Sequence, residues 1–119
     1  MSESMTSVVD GIYSAYFTGS GGVSLGLFSF KDGIIAGADI GGLLYDGTFK
    51  ITADGYLVGS IKYIVPIGAS TITGLSASDE PIELVSPVKL PIDFSGDTVH
   101  RIETPAGPVN AKFKKVRGL

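Results

Sequence analysis

Apolar and polar residues alternate with a period of two along much of this chain. One face of a central segment carries Leu57, Gly59, Ile61, Tyr63 and Val65. The opposite face of that segment carries Ser60 and Lys62. Because successive side chains of a strand point to opposite faces, the pattern predicts strands with one buried and one wet face. It is typical of an antiparallel, all-β protein.

Turn signals divide the chain into eight predicted strands. The steps Asp32-Gly33 and Asp54-Gly55 follow short apolar runs and indicate tight hairpins. Such turns require a positive φ, which glycine adopts freely and aspartate more readily than most residues. We expect the strands near residues 10–18, 22–31, 33–39, 43–52, 55–66, 81–92, 96–104 and 107–116.

Glycines inside the predicted strands favour closure of the sheet into a barrel. Gly47 and Gly59 lie where glycine is typical of a bulge or a sharp bend. We therefore predict an antiparallel eight-stranded β-barrel, with a β-sandwich as the competing geometry. Inward aromatic side chains are expected to fill its interior. They are Tyr13, Phe17, Tyr45, Phe49, Tyr63 and Phe113.

The chain is expected to form a single domain, because 119 residues correspond to one ordinary core. We place the barrel at residues 10–117, after a flexible N-terminus of residues 1–9. Residues 67–80 are long for a structureless connection. A surface loop, an extra short strand at 70–75 and a short helix or 3-10 turn all remain open for them. As a loop, they would cap one mouth of the barrel or meet a partner.

The first three predicted strands are apolar on both faces, whereas later strands are wet outside. A soluble barrel with such a sector exposes an apolar patch that is large for a monomer. We therefore predict a homodimer. Its expected interface residues are Ile12, Tyr16, Leu25, Leu27 and Ile34. The alternative is that residues 67–80 or the N-terminal residues cover this sector.

Composition removes several classes of function. The chain has no cysteine and one histidine, so disulfides, thiol nucleophiles and zinc sites built on those residues are excluded. Its net charge is −3, whereas direct nucleic-acid binding needs a basic stripe. The N-terminus lacks a secretion signal, and the chain lacks an apolar run long enough for a membrane helix. We expect a cytoplasmic protein that binds neither nucleic acid nor membrane.

No catalytic constellation is visible, and we expect neither enzymatic activity, nor a cofactor, nor a metal site. The single histidine, His100, is interpreted as a surface residue on a strand near a hairpin. Either His100 or Arg101 should face inward, because neighbours alternate. An inward Arg101 would hold the anionic head group of a ligand. An internal Arg101–Glu103 pair and outward solvation of Arg101 are the simpler alternatives.

Two N-terminal segments resemble the opening of the GrlR-type proteins, negative regulators of type III secretion gene expression in bacteria. They are Asp10-Gly-Ile-Tyr-Ser-Ala-Tyr-Phe17 and the Gly26–Ile40 segment Gly-Leu-Phe-Ser-Phe-Lys-Asp-Gly-Ile-Ile-Ala-Gly-Ala-Asp-Ile. The resemblance continues weakly through the Tyr45–Phe49, Tyr63–Pro66 and Ala111–Phe113 regions.

The resemblance implies a lipocalin-like eight-stranded barrel that dimerises and binds a transcriptional activator, keeping the activator from DNA. In that family an acidic run after the fourth strand contacts the activator. The corresponding partner-binding residues are Thr52, Ala53, Asp54 and Gly55, which hold a single carboxylate, so the partner's identity is left open. We therefore expect a non-enzymatic regulator that sequesters a partner protein. The alternative is a carrier of a lipid or an anionic hydrophobic molecule inside the barrel.

Overall fold

The computed structural model describes residues 8–119, which form an all-β protein of eight strands. The strands are β1 (Gly11–Gly19), β2 (Gly22–Lys31), β3 (Ile34–Asp39), β4 (Leu44–Ile51), β5 (Tyr56–Val65), β6 (Ile82–Pro91), β7 (His100–Thr104) and β8 (Gly107–Gly118). Residues 1–7 of the predicted flexible N-terminus lie outside this range. No helix within the described part of the chain has the length and apolar character needed to cross a membrane.

The eight strands form one antiparallel sheet in the order β6-β5-β4-β3-β2-β1-β8-β7. The two edge strands, β6 and β7, contact each other, so the sheet curls into a nearly closed barrel. The prediction of an eight-stranded antiparallel barrel is therefore confirmed. Consecutive strands pair as hairpins, except that β6 does not pair with β7, and the first strand pairs with the last.

The two predicted Asp-Gly hairpins are present. Asp32 and Gly33 both have positive φ, 51° and 81°, as a two-residue turn between β2 and β3 requires. Gly55 has a φ of 88° at the end of the β4–β5 hairpin. Local sequence therefore fixes these two connections.

Gly47 and Gly59 allow β4 and β5 to approach each other closely. A Cβ at Gly59 would collide with the carbonyl oxygen of Thr48, and one at Gly47 with that of Ser60. Both are backbone atoms of the paired strand, which a side chain cannot push aside without moving the ladder. These glycines therefore mark a close approach of the two strands in an unbroken register, rather than the expected bulge.

The seventh strand is shorter than predicted. It begins at His100 rather than residue 96, and residues 92–99 form the connection from β6. The physical reason is Phe94, whose fully buried side chain enters the barrel and pulls this segment out of the sheet. The nitrogen Nε2 of His100 lies 3.1 Å from the Phe94 carbonyl oxygen and holds the segment in place.

Phe94 is the centre of an aromatic cluster that fills one end of the barrel. Its ring centroid lies 4.9 Å from that of Tyr13, 5.4 Å from that of Phe30 and 5.2 Å from that of Phe113. Val9, which the sequence placed in the N-terminal segment, is buried here and accepts a 2.7 Å hydrogen bond from the Tyr13 hydroxyl. We call this the closed end.

Replacing Phe94 with alanine should destabilise the fold by about 3–5 kcal/mol, because it empties the centre of the closed end. Val99→Ala is the matched control, since Val99 lies in the same connection but is exposed. It should change the free energy of unfolding by no more than about 0.5 kcal/mol. Urea denaturation measures both, and equal losses in the two variants would show that Phe94 does not close the barrel.

Candidate ligand cavity

The opposite end of the barrel contains a cavity of about 590 Å³. The turns after β1, β3, β5 and β7 surround it, and we call this the open end. Its inner wall is mainly apolar, and aliphatic residues contribute much of it. They include Leu43, Ile61, Val88, Leu90, Ile102 and Val109. This size and composition are typical of sites that bind small molecules.

The cavity corrects the prediction of a filled interior. The six expected aromatic residues do lie on the inward faces of their strands, but only Tyr13 and Phe49 lie wholly at the closed end, and the other four line the cavity without filling it. Towards the open end, small side chains take the inward positions, including Ser24 on β2 and Ser86 on β6. An eight-stranded barrel is just wide enough for large side chains to fill, so small ones leave a void.

Five aromatic rings form a continuous band around the cavity wall. Along the band, neighbouring ring centroids are 5.2 Å apart for Tyr63 and Tyr45, and 5.2 Å apart for Tyr45 and Phe28. Phe17 lies 5.9 Å from Phe28 and 6.2 Å from Phe113, in edge-to-face geometry. Rings in mutual contact are held in place, so the apolar wall is preformed.

Asp39 ends β3 at the rim of the cavity and organises the following turn. Its Oδ1 accepts hydrogen bonds from the amides of Gly41 (2.9 Å) and Leu43 (3.1 Å). Its Oδ2 accepts one from the Tyr45 hydroxyl at 2.7 Å. Burial, reinforced by this bond and by the nearby carboxylate, raises the pKa of Tyr45 well above its usual value. Burial also raises the pKa of Tyr63.

Residues 67–80 lie at the open end and form part of the cavity wall. They contain turns and a single β-bridge between Ser70 and Ser76, rather than a helix. The Gly21 amide donates to the Ile72 carbonyl, and the Ser20 hydroxyl donates to Thr73 at 3.3 Å, which ties the loop to the β1–β2 turn. Of the alternatives left open by the sequence, the loop at the barrel mouth is the one observed.

Ser24 is the exceptional polar residue of the cavity. It is 6% exposed, and its Oγ has no hydrogen-bond partner. It lies beside Phe17 in the β1–β2 ladder, on the same inward face. Ser86 is also buried, on the opposite wall, and its Oγ reaches only the Pro87 carbonyl at 3.4 Å. Buried hydroxyls normally have partners, so Ser24 is a candidate ligand contact that the sequence analysis missed.

The structure places Arg101 outside the cavity, so the observed alternative is outward solvation of Arg101 and not an inward cation. Arg101 is exposed and pairs with the equally exposed Glu103 on the outside of β7. His100 is the inward neighbour and is half-buried, so its interpretation as a surface residue is also wrong. Because neighbouring residues of a strand face opposite sides, only one of the two can face inward. It is His100, whose ring bonds to the Phe94 carbonyl in the connection between β6 and β7.

The predicted interface residues lie on the outside of the barrel. Tyr16, Leu25, Leu27 and Leu44 form an exposed surface across β1, β2 and β4, joined by Ala38 of β3, and we call it the outer apolar face. Leu27 is 58% exposed at its centre. Ile34 is exposed farther along β3, whereas Ile12 is half-buried.

Residues 67–80 do not cover the outer apolar face, because they lie at the open end of the barrel. The alternative that they shield the two-sided strands is therefore wrong. The other proposed cover, the N-terminal residues, falls largely on residues 1–7, outside the described part of the chain.

The predicted partner-binding stretch forms the β4–β5 hairpin at the closed end. Thr52 donates from its hydroxyl to the Asp54 carboxylate, and this hydrogen bond lowers the pKa of Asp54. The amide of Tyr56 donates to Thr52 Oγ1 at 3.1 Å. Ala53 and Asp54 are exposed at the tip, and Gly55 is half-buried. The stretch is thus remote from the cavity.

Within residues 8–119 there is no cluster of three or more histidine, cysteine, aspartate or glutamate side chains that could hold a metal ion. The chain matches no protein-family model, no curated protein and no solved structure. The resemblance to GrlR-type proteins therefore stays a prediction.

Tyr45 should make the protein less stable in alkali. Its folded-state pKa is raised above the ordinary 10.0, so its contribution is fully present below pH 10. The contribution is lost as the pH rises further, because the unfolded chain then releases its proton first. Between pH 8 and 11, the free energy of unfolding of Tyr45→Phe should fall by about 1 kcal/mol less than that of the wild type, because the unfolded wild type releases one proton more than the folded protein over about one pH unit. Urea denaturation at both pH values measures this, and equal losses would contradict it.

Proposed function

We propose that this chain is a non-enzymatic binding protein whose barrel holds a small apolar molecule. The observation that carries the proposal is the cavity of about 590 Å³ at the open end. Its size lies in the range of ordinary ligand sites, and its aromatic wall is preformed. An unpartnered buried serine within an apolar wall is the arrangement expected where a ligand supplies the missing hydrogen bond.

Filling the cavity should abolish ligand binding without unfolding the barrel. In Ser86→Leu, the added side chain enters the void and occupies volume that a ligand would need. The fluorescence of the neutral dye Nile red should rise on binding to the wild type, and its affinity should fall at least tenfold in Ser86→Leu. Val85→Leu is the matched control, because Val85 precedes Ser86 on β6 but is exposed.

Retention of wild-type dye affinity by Ser86→Leu, with an unchanged unfolding transition, would mean that the dye binds elsewhere. The outer apolar face is the obvious other site. That result would contradict ligand binding in the cavity.

The outer apolar face favours a second function, that of a regulator that sequesters a partner protein. Exposed apolar side chains on adjacent strands are costly in water and typical of protein–protein interfaces. This function agrees with what the GrlR resemblance implies: a cytoplasmic dimeric barrel that binds a transcriptional activator. The outer apolar face would form the dimer, leaving the β4–β5 hairpin free for the partner.

Leu27→Lys tests the dimer, because it places a charge at the centre of the outer apolar face. Sedimentation velocity at micromolar concentration should show a dimer for the wild type and a monomer for this variant. Ser60→Lys is the control, since Ser60 is exposed on β5, away from that face. It should remain dimeric. A monomeric wild type would contradict the proposal that the outer apolar face forms a dimer.

A further inference from the structure

The charges around the cavity constrain the ligand that it takes. Among the described residues that line it, the ionisable ones are Asp39, Tyr45 and Tyr63, and none is a lysine, arginine or histidine. The raised pKa values of the two tyrosines keep them neutral at physiological pH. The charge left at the site is therefore the carboxylate of Asp39, at the rim.

Asp39 repels an anionic ligand, and most of its capacity to hydrogen-bond a cationic one is already used. Its carboxylate already accepts three hydrogen bonds, from the Gly41 and Leu43 amides and the Tyr45 hydroxyl. A ligand ammonium group would therefore give up its hydration for about one remaining acceptor position on this carboxylate. A ligand carboxylate would lose its hydration without gaining a cation, and would also face a like charge.

A neutral polar group, by contrast, finds a partner at Ser24. The Ser24 hydroxyl can donate one hydrogen bond and also accept, and none of these capacities is used. A ligand carbonyl would accept a hydrogen bond from the Ser24 hydroxyl, and a ligand hydroxyl could either donate a hydrogen bond to it or accept one from it. Aromatic and aliphatic side chains surround this position, so the rest of the ligand should be apolar.

We propose that the cavity selects an uncharged, mainly apolar ligand with one carbonyl or hydroxyl group, which hydrogen-bonds to Ser24 Oγ. It rejects the same hydrocarbon chain when the chain ends in a carboxylate. This inference rests on the proposed ligand-binding function, and it replaces the anionic ligand that an inward Arg101 would have required.

Competition between three probes of one chain length tests the selectivity. Decan-1-ol, decanoate and decylammonium share a hydrocarbon chain and differ in head-group charge. At pH 8, decan-1-ol should displace Nile red at a concentration at least tenfold lower than either ion. Equal or stronger displacement by an ion would overturn the inference while leaving ligand binding intact. If the wild type does not bind the dye, or if Ser86→Leu does not weaken dye binding, both the inference and the proposed ligand binding are overturned.

Ser24→Ala tests the hydrogen bond. Loss of one neutral bond should weaken decan-1-ol binding about fivefold. Ser29→Ala is the matched control, because Ser29 lies on the outward face of the same strand. This variant should bind decan-1-ol with the affinity of the wild type. If the alanine variant folds poorly, Ser24→Cys takes its place. Cysteine keeps the size of the side chain but is a weaker hydrogen-bond donor, so this variant should also bind decan-1-ol less tightly. Unchanged affinity in a folded Ser24 variant would refute the assignment.

Discussion

The insertion of Phe94 into the closed end is the contact on which the rest of this structure depends. β6 and β7 are the two edges of the sheet, and the segment that joins them carries Phe94 into the interior. There the ring meets residues of β1, β2 and β8, so a single side chain ties the edge connection to three neighbouring strands of the sheet. With this end filled, the remaining interior volume lies at the open end, where the cavity is found.

Much of the architecture is local and could be predicted from the sequence. Period-two alternation determines which side chains face inward, and the positive φ of Asp32-Gly33 is encoded in two residues. Phe94 was missed because it is a lone aromatic residue in a turn-rich segment, without the periodicity that marks a strand. Its contacts are made with strands distant in sequence, which no local pattern records.

The cavity escaped prediction for a related reason. Its volume depends on which side chains lie at the same height around the barrel, and therefore on the register of every ladder. In β1 and β2, for example, the large Phe17 is paired with the small Ser24. A signal was nevertheless present, because Ser24 and Ser86 are polar residues at inward, otherwise apolar positions. A serine that breaks the alternation of a barrel strand is therefore worth treating as a candidate ligand contact.

The described cavity lining holds no lysine, arginine or histidine, and this follows from the same alternation that builds the barrel. Strand residues such as Lys50, Lys62 and Lys112 fall at outward positions, where their charges stay in water. Lys115 has inward parity and pairs with Tyr13, but it is exposed, with its amine 5.8 Å from the Tyr13 ring at the closed end, outside the cavity lining. Because β1 and β2 supply both the cavity wall and the outer apolar face, an occupant inside and a protein outside would contact the same two strands. The ligand binding and the partner binding that we propose would therefore use opposite faces of one sheet.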